Sequence, residues 1–337
     1  MFKRHSSKLA RASVTALLAA CIASPAHAEK HSALVLTQII PLPNVSGGFN
    51  HMSVDDRHQR LFAPAPTDGM LEVLDLRSRK LWRSLPAERS TTALYAPESG
   101  QLYLTGARHL SIYDGSTLDR IANIDLHSRL DEIQYDTGAQ ELFVGRMTSG
   151  ATGIAIVALP EAKLVASIAL PSSPQGLALE REGPRLFVNL PDDGAVAVID
   201  RRKRRVEATW KLKGASDNFP IALDEKDGRL LIATRAPAEM IALDTRTGET
   251  IGRVPCVEDA DDMWYDPVKR RIYISGGGGF VSVIEQQDPD RYVVLERVRT
   301  APNASNSAFS TRMQSLYVGV PPHKGGTAAI RVYVGAP

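Results

Sequence analysis

The chain is 337 residues long, 43% hydrophobic and 23% charged, with 40 basic side chains against 38 acidic ones. So even a balance excludes a dedicated nucleic-acid binder, which needs a strong basic excess. Of the two cysteines only Cys256 lies beyond the first 28 residues, so no internal disulfide framework is available there.

Residues 1–28 read as an export signal. Lys3, Arg4, Lys8 and Arg11 form a positive start, Ala12 to Ala23 is apolar, Pro25 breaks the run, and Ala26-His27-Ala28 is a small-x-small cleavage site. The alternative reading takes Leu18-Ala19-Ala20-Cys21 as a lipobox, with the protein anchored through a lipid on Cys21. Both readings send the chain out of the cytoplasm, as a periplasmic or secreted protein. The apolar run is too short for a permanent span, and no later stretch suffices, so no transmembrane span is expected. Loss of the segment leaves 36 basic against 38 acidic side chains.

Residues 29–337 read as one domain. The segment "ALVLTQIIPL" (33–42) is a strand standing before the first copy of a repeat. That repeat carries "RLFAPA" at 60, "QLYLTG" at 101, "ELFVGR" at 141, "RLFVNL" at 185, "RLLIAT" at 229, "RIYISG" at 271 and "SLYVGV" at 315. Its anchors are Leu61, Leu102, Leu142, Leu186, Leu230, Ile272 and Leu316, at intervals of 41, 40, 44, 44, 42 and 44. Seven residues before each anchor stands Val54, Tyr95, Tyr135, Leu179, Leu223, Tyr265 or Phe309, and mostly apolar residues recur two positions earlier. Such alternation marks a strand with a buried face. Turn-rich segments such as "DTGAQ" and "DEKDG" separate it from the anchor.

After each anchor come a third alternating strand ("AVAVID", "FVSVIE") and a fourth ("VEATWKL", "VVLERV"). Four antiparallel strands per unit, repeated seven times, describe an all-β seven-bladed propeller. The seventh copy ends at "AAIRVYVGA" without room for a fourth strand. The strand at 33–42 is therefore expected to complete the last blade and seal the circle.

The runs "LFVNLPDDGAVAVID", "IYISGGGGFVSVIE" and "LYVGV" resemble the repeat of the bacterial YVTN (YncE-like) seven-bladed propellers, over roughly residues 34–337. The resemblance implies the fold and an exported binding protein; similar rings also carry several enzymes. The Trp-Asp and Gly-His signatures of WD40 repeats are missing.

In a meander the loops entering strand one and leaving strand two share one face, around the central channel, which makes that face the candidate site. Counting ten back from each anchor gives His51, Thr92, Glu132, Gly176, Pro220, Asp262 and Asn306. Asp131 and Asp261 precede two of these. Loops leaving strand two supply Arg146, Asn189, Arg235 and His323. These ten polar residues (His51, Asp131, Glu132, Arg146, Asn189, Arg235, Asp261, Asp262, Asn306 and His323) are the expected ligand-binding set.

The stretch "VEDADDMWYD" (257–266) concentrates carboxylates at the start of an inner strand. Two carboxylates ~5 Å apart repel by roughly 3 kcal/mol at an effective dielectric near 20, so a proton, an arginine or a metal ion must relieve them. Arg146 and Arg235 are candidates for relief. Glu132, Asp262 and Asn306 are candidates for holding calcium or another divalent ion. Structural readings stand beside these: the acids cap loops through backbone amides, and His51 bridges two blades.

The expected function is non-catalytic binding, by a monomer, of a small polar ligand or an envelope protein partner on the channel face. The alternative is a divalent-metal-dependent lactonase- or lyase-like enzyme using the same face, with His51 as general base. No Cys/His zinc spacing and no G-x-S-x-G occur, and Trp82, Trp210 and Trp264 show no repeat register. "SGGGGF" lacks the Lys and helix of a phosphate loop and reads as a tight hairpin or close approach. "RRKRR" (201–205) reads as a solvated turn on the outer rim.

Overall fold

Seven times the chain runs through four antiparallel strands, each hydrogen-bonded to the next in sequence order, because short alternating segments joined by tight turns pair with their neighbours. The computed structural model describes residues 1–2 and 32–335. The export segment read over 1–28, with Cys21, lies outside the described residues apart from its first two. The protein is an all-β seven-bladed propeller; its only helix among the described residues is the single 3-10 turn Pro191–Asp193. No helix among them is long and apolar enough to cross a membrane.

The first strands of the blades touch one another around the centre. They are Ser53–Asp55, Ala93–Ala96, Leu130–Asp136, Leu177–Leu179, Ser216–Asp224, Ala260–Asp266 and Ser307–Ser310. The second strands carry the seven anchors, and every anchor is 0% exposed. Alternation explains why "LF" or "LY" recurs there. In Arg60–Ala65, Leu61 packs with Ile40 and Tyr317 toward the seventh blade, while Phe62 packs with Tyr95 and Leu102 toward the second. Both faces of each blade are apolar, and each of the seven interfaces has its own buried cluster. A buried Leu or Phe contributes about 1.5–3 kcal/mol, so these interfaces hold the ring together.

The ring closes as the sequence predicts. Leu34–Leu42 pairs antiparallel with Ala328–Gly335, from Leu34 opposite Gly335 to Leu42 opposite Ala328, with one register shift between Leu36 and Gln38. The last blade thus takes its outermost strand from the start of the described chain and its other three from the end.

On the face away from the site, the turn residues of "RRKRR" depart from expectation. Arg202 to Arg205 are exposed, but Arg201 is 8% exposed and bonds Asp136 of the third blade at 3.0 Å. It also donates to the Glu180 carbonyl. Arg201 is therefore a pin between the third and fourth blades, buried because its charge is paired and hydrogen-bonded.

Candidate functional site

Three of the inner strands are irregular at their channel ends, and the irregularity builds the site. The ladder shifts register between Leu130 and Ile133, between Asn218 and Ile221, and between Ala260 and Asp262. A bulge re-aims the side chains beside it. Here it allows Asp131 and Glu132, or Asp261 and Asp262, to leave strict alternation and take separate tasks.

Asp261 is held by protein groups on both oxygens. Arg235 Nη2 donates to Oδ1 at 2.9 Å, and Ser305 Oγ and Asn306 Nδ2 donate to Oδ2 at 3.2 and 3.1 Å. Arg235 also reaches Asp259 Oδ1 at 3.0 Å and lies 3.7 Å over the ring of Phe219. The expected relief of the acidic stretch by an arginine is thus met by Arg235. Gly277 and Gly278 let the same stretch come close: their amides donate to the carbonyls of Asp259 and Glu258 at 2.9 and 3.1 Å. A side chain on Gly277 would lie 2.1 Å from Asp259 Oδ2. The "SGGGGF" run is therefore both hairpin and close approach.

Asp262 faces the channel. Its Oδ2 accepts from the Ser307 backbone N–H at 2.7 Å and from Asn306 Nδ2 at 3.4 Å. Its Oδ1 lies 2.7 Å from His51 Nδ1, and Glu132 Oε1 lies 3.4 Å from the same nitrogen. Blades one, three and six thus meet at one point. Their side chains are 14%, 19% and 9% exposed. Below them opens a cavity of about 330 Å³, lined among others by Thr92, Gln134, Trp264 and Phe309. Thr92 is 5% exposed, and its Oγ1 has no hydrogen-bond partner.

Burial alone would lower the His51 pKa, but Glu132, Asp262 and Asp261 together outweigh it and hold it well above the usual imidazole value. With Nδ1 turned to both Asp262 and Glu132, the His51 ring is held between two carboxylates, a placement that favours its charged form. Burial pushes Glu132 up to about 7; the neighbouring carboxylates add to that and His51 opposes it. Burial likewise raises the neighbouring Asp131.

The other expected site residues separate into different tasks. Asn189 is fully buried and fully used: Nδ2 donates to the carbonyls of Phe219 and Pro220 at 3.0 and 3.2 Å, and Oδ1 accepts from Asn218 at 2.9 Å. It ties the fourth blade to the fifth and has nothing left for a ligand. Asn306 turns its amide nitrogen to Asp261 and Asp262, so it orients carboxylates instead of joining Glu132 and Asp262 as a metal ligand. Among the described residues, the three donor residues whose ligand atoms lie within 4.8 Å of one another are His51, Glu132 and Asp262. Arg146 pairs Leu130 and Gly153 in the sheet, its buried Nε lacks a partner, and it does not line the cavity. His323 lies on the exposed loop after Ser315–Val320 and also stands outside.

Sequence reasoning put Thr92 in the inner ring but not among the ligand-binding residues. It also passed over Arg89 and Arg129, which line a second cavity with Asn50 and Thr91, directly preceding His51 and Thr92 in sequence. Neither arginine makes an ion pair among the described residues. The available signal was an arginine in the loop entering the inner strand of blades two and three, in "ERSTT" and "HSRLDE".

No family model matches the chain, and no curated protein matches it. Solved structures do. The hydrazine synthase of Kuenenia stuttgartiensis superposes with a TM-score of 0.74 at 16% identity, over 88% of this chain and 97% of that one. A chain of the mitotic checkpoint complex superposes with a TM-score of 0.77 at 13% identity, over 97% of this chain and 99% of that one. At such identities the likeness is one of fold, and it agrees with the seven-bladed ring built above.

Proposed function

We propose that this propeller is an exported, non-catalytic receptor for a small anionic ligand, which it takes at the channel mouth. The observation that carries the reading is the convergence of His51, Glu132 and Asp262, from three separate blades, on a cavity of about 330 Å³. Ligand sites are concave, with few convergent polar groups, and this volume suits a small molecule. The sign of the ligand follows from Arg89 and Arg129, exposed side chains that line the adjoining cavity and make no close ion pair among the described residues, although Arg129 acts on Asp131 through space. An acid group there would meet two guanidinium forks without displacing an existing ion pair. The export segment and the resemblance to YVTN propellers support a periplasmic or secreted receptor.

The test is a thermal-shift and calorimetric screen of small carboxylates, phosphates and sulfonates on the purified chain. The reading expects a shift that Arg129→Ala and Glu132→Gln both reduce. A hit whose shift neither variant changes lies elsewhere and removes this site. Protein capture with no small-molecule hit would favour the partner-binding form of the same face.

A further inference from the structure

We infer that His51, Glu132 and Asp262 form a divalent transition-metal site, of the zinc or manganese class, at the mouth of the channel. The inference deepens the receptor reading: the ion would be the cationic floor of that site.

Geometry comes first. Zinc bonds nitrogen and oxygen at about 2.0–2.2 Å, so tetrahedral neighbours stand roughly 3.3–3.5 Å apart. His51 Nδ1 lies 2.7 Å from Asp262 Oδ1 and 3.4 Å from Glu132 Oε1. The Glu132 distance already fits, and opening the His51–Asp262 contact by about 0.6–0.8 Å would seat the ion between the three groups, any proton on Nδ1 leaving to solvent.

Supporting contacts are in place as well. A ligating carboxylate is usually fixed by hydrogen bonds to its other oxygen. Asp262 has them, from the Ser307 amide and from Asn306. Asp261, which would otherwise compete for the ion, is already held by Arg235, Ser305 and Asn306. Independently of the trio, Thr92 lines the same cavity with a buried Oγ1 that has no partner. Such a hydroxyl is suited to bond a water or ligand atom on the ion's open position.

The donor set selects the ion. Calcium takes 6–8 oxygens, and magnesium keeps most of its water. One imidazole nitrogen with two carboxylate oxygens suits zinc, manganese or iron(II) instead. The calcium set expected from Glu132, Asp262 and Asn306 fails because Asn306 presents its NH₂ to the carboxylates.

The test uses the full chain after chelator treatment, with zinc and manganese ions alone as probes. Calorimetry should give one ion per chain, and cobalt substitution should give ligand-field absorption of low coordination number. His51→Gln, Glu132→Gln and Asp262→Asn should each weaken zinc binding beyond the ~10–100-fold loss of a supporting hydrogen bond. Asn189→Ala should leave it unchanged. Zinc uptake that survives all three ligand substitutions, or none in the unmodified chain, overturns the site. Should Asp262→Asn fold poorly, Glu132→Gln decides, since no backbone group hangs on the Glu132 carboxylate among the described residues. Thermal shifts with the anion panel, run with and without chelator, separate the two readings. Zinc uptake without any anion effect leaves the ion standing and removes the receptor, and an anion effect in chelator without zinc uptake does the reverse.

Discussion

Asp262 of the sixth blade and His51 of the first meet at 2.7 Å across the channel mouth, while Ser307 of the seventh blade fixes the far oxygen of the same carboxylate. The contact links two blades separated only by the seventh, so with Ser307 it clamps three consecutive blades at the channel mouth. Removing one partner of such a largely buried pair strands the other's charge. His51→Ala should therefore lower metal-free stability by about 3 kcal/mol in a denaturant titration. His51→Ala with Glu132→Gln should recover part of that loss by removing the surplus carboxylate. An unchanged midpoint in His51→Ala would show that the clamp carries no energy.

The metal-free protein should lose stability as the pH rises. Glu132, held at about 7 by burial, binds its proton more tightly folded than unfolded. Its contribution is full at low pH and falls between about 4.5 and 7, by about 3 kcal/mol. His51, also raised, contributes stability that is complete below its unfolded value and is lost as the pH climbs through its folded one. Melting temperatures should fall from pH 5 to pH 9, and Glu132→Gln should flatten the portion below neutrality. A melting temperature that rises over that range contradicts the assignment.

Asn189 and Asn218 make a prediction of the opposite kind. Their amides bond each other and the main chain between blades four and five. Asn189→Ala leaves buried partners unsatisfied and should cost about 1–3 kcal/mol. Anion and metal binding, measured well below the new midpoint, should not move.

How much of this the sequence carried depends on what set each position. The repeat was legible because every blade faces two others, so the same apolar register is imposed at all seven anchors. The inner ring followed from that register, and it correctly gathered His51, Glu132 and Asp262. Which members face the channel was not legible, because bulges beside Asp131 and Asp261 break the alternation used for counting. Side-chain direction was hidden as well. Asn189 and Asn306 have the composition of ligands, yet their amides are consumed by Phe219, Pro220, Asp261 and Asp262. Arg201 is the same error reversed: a residue in a charged run that proves buried because Asp136 stands opposite.

The closing strand should prove indispensable. Deletion of residues 34–42 exposes the edge of Ala328–Gly335 and uncovers the apolar flank shared with the first blade. No cooperative melt near the unmodified temperature should survive. Ile40→Ala, at a side chain 2% exposed, should cost about 2–5 kcal/mol while leaving the ring closed. An unmodified thermal midpoint after the deletion would refute the role of this strand.

Cys256 should be inert. It is buried between the fifth and sixth blades, and burial pushes its thiol up to about 12. A thiol reagent at pH 8 should label the native protein negligibly and the denatured protein stoichiometrically. Rapid native labelling would show that this interface opens.

Pairing Leu34 with Gly335 also sets the order of assembly. The strand made first among the described residues waits for nearly the whole chain before its partner exists. Six blades can form on the way, but as an arc with two adhesive ends. Locking waits for Ala328–Gly335, and an apparatus that threads linear polypeptide would meet no finished wheel to unravel before that strand had emerged.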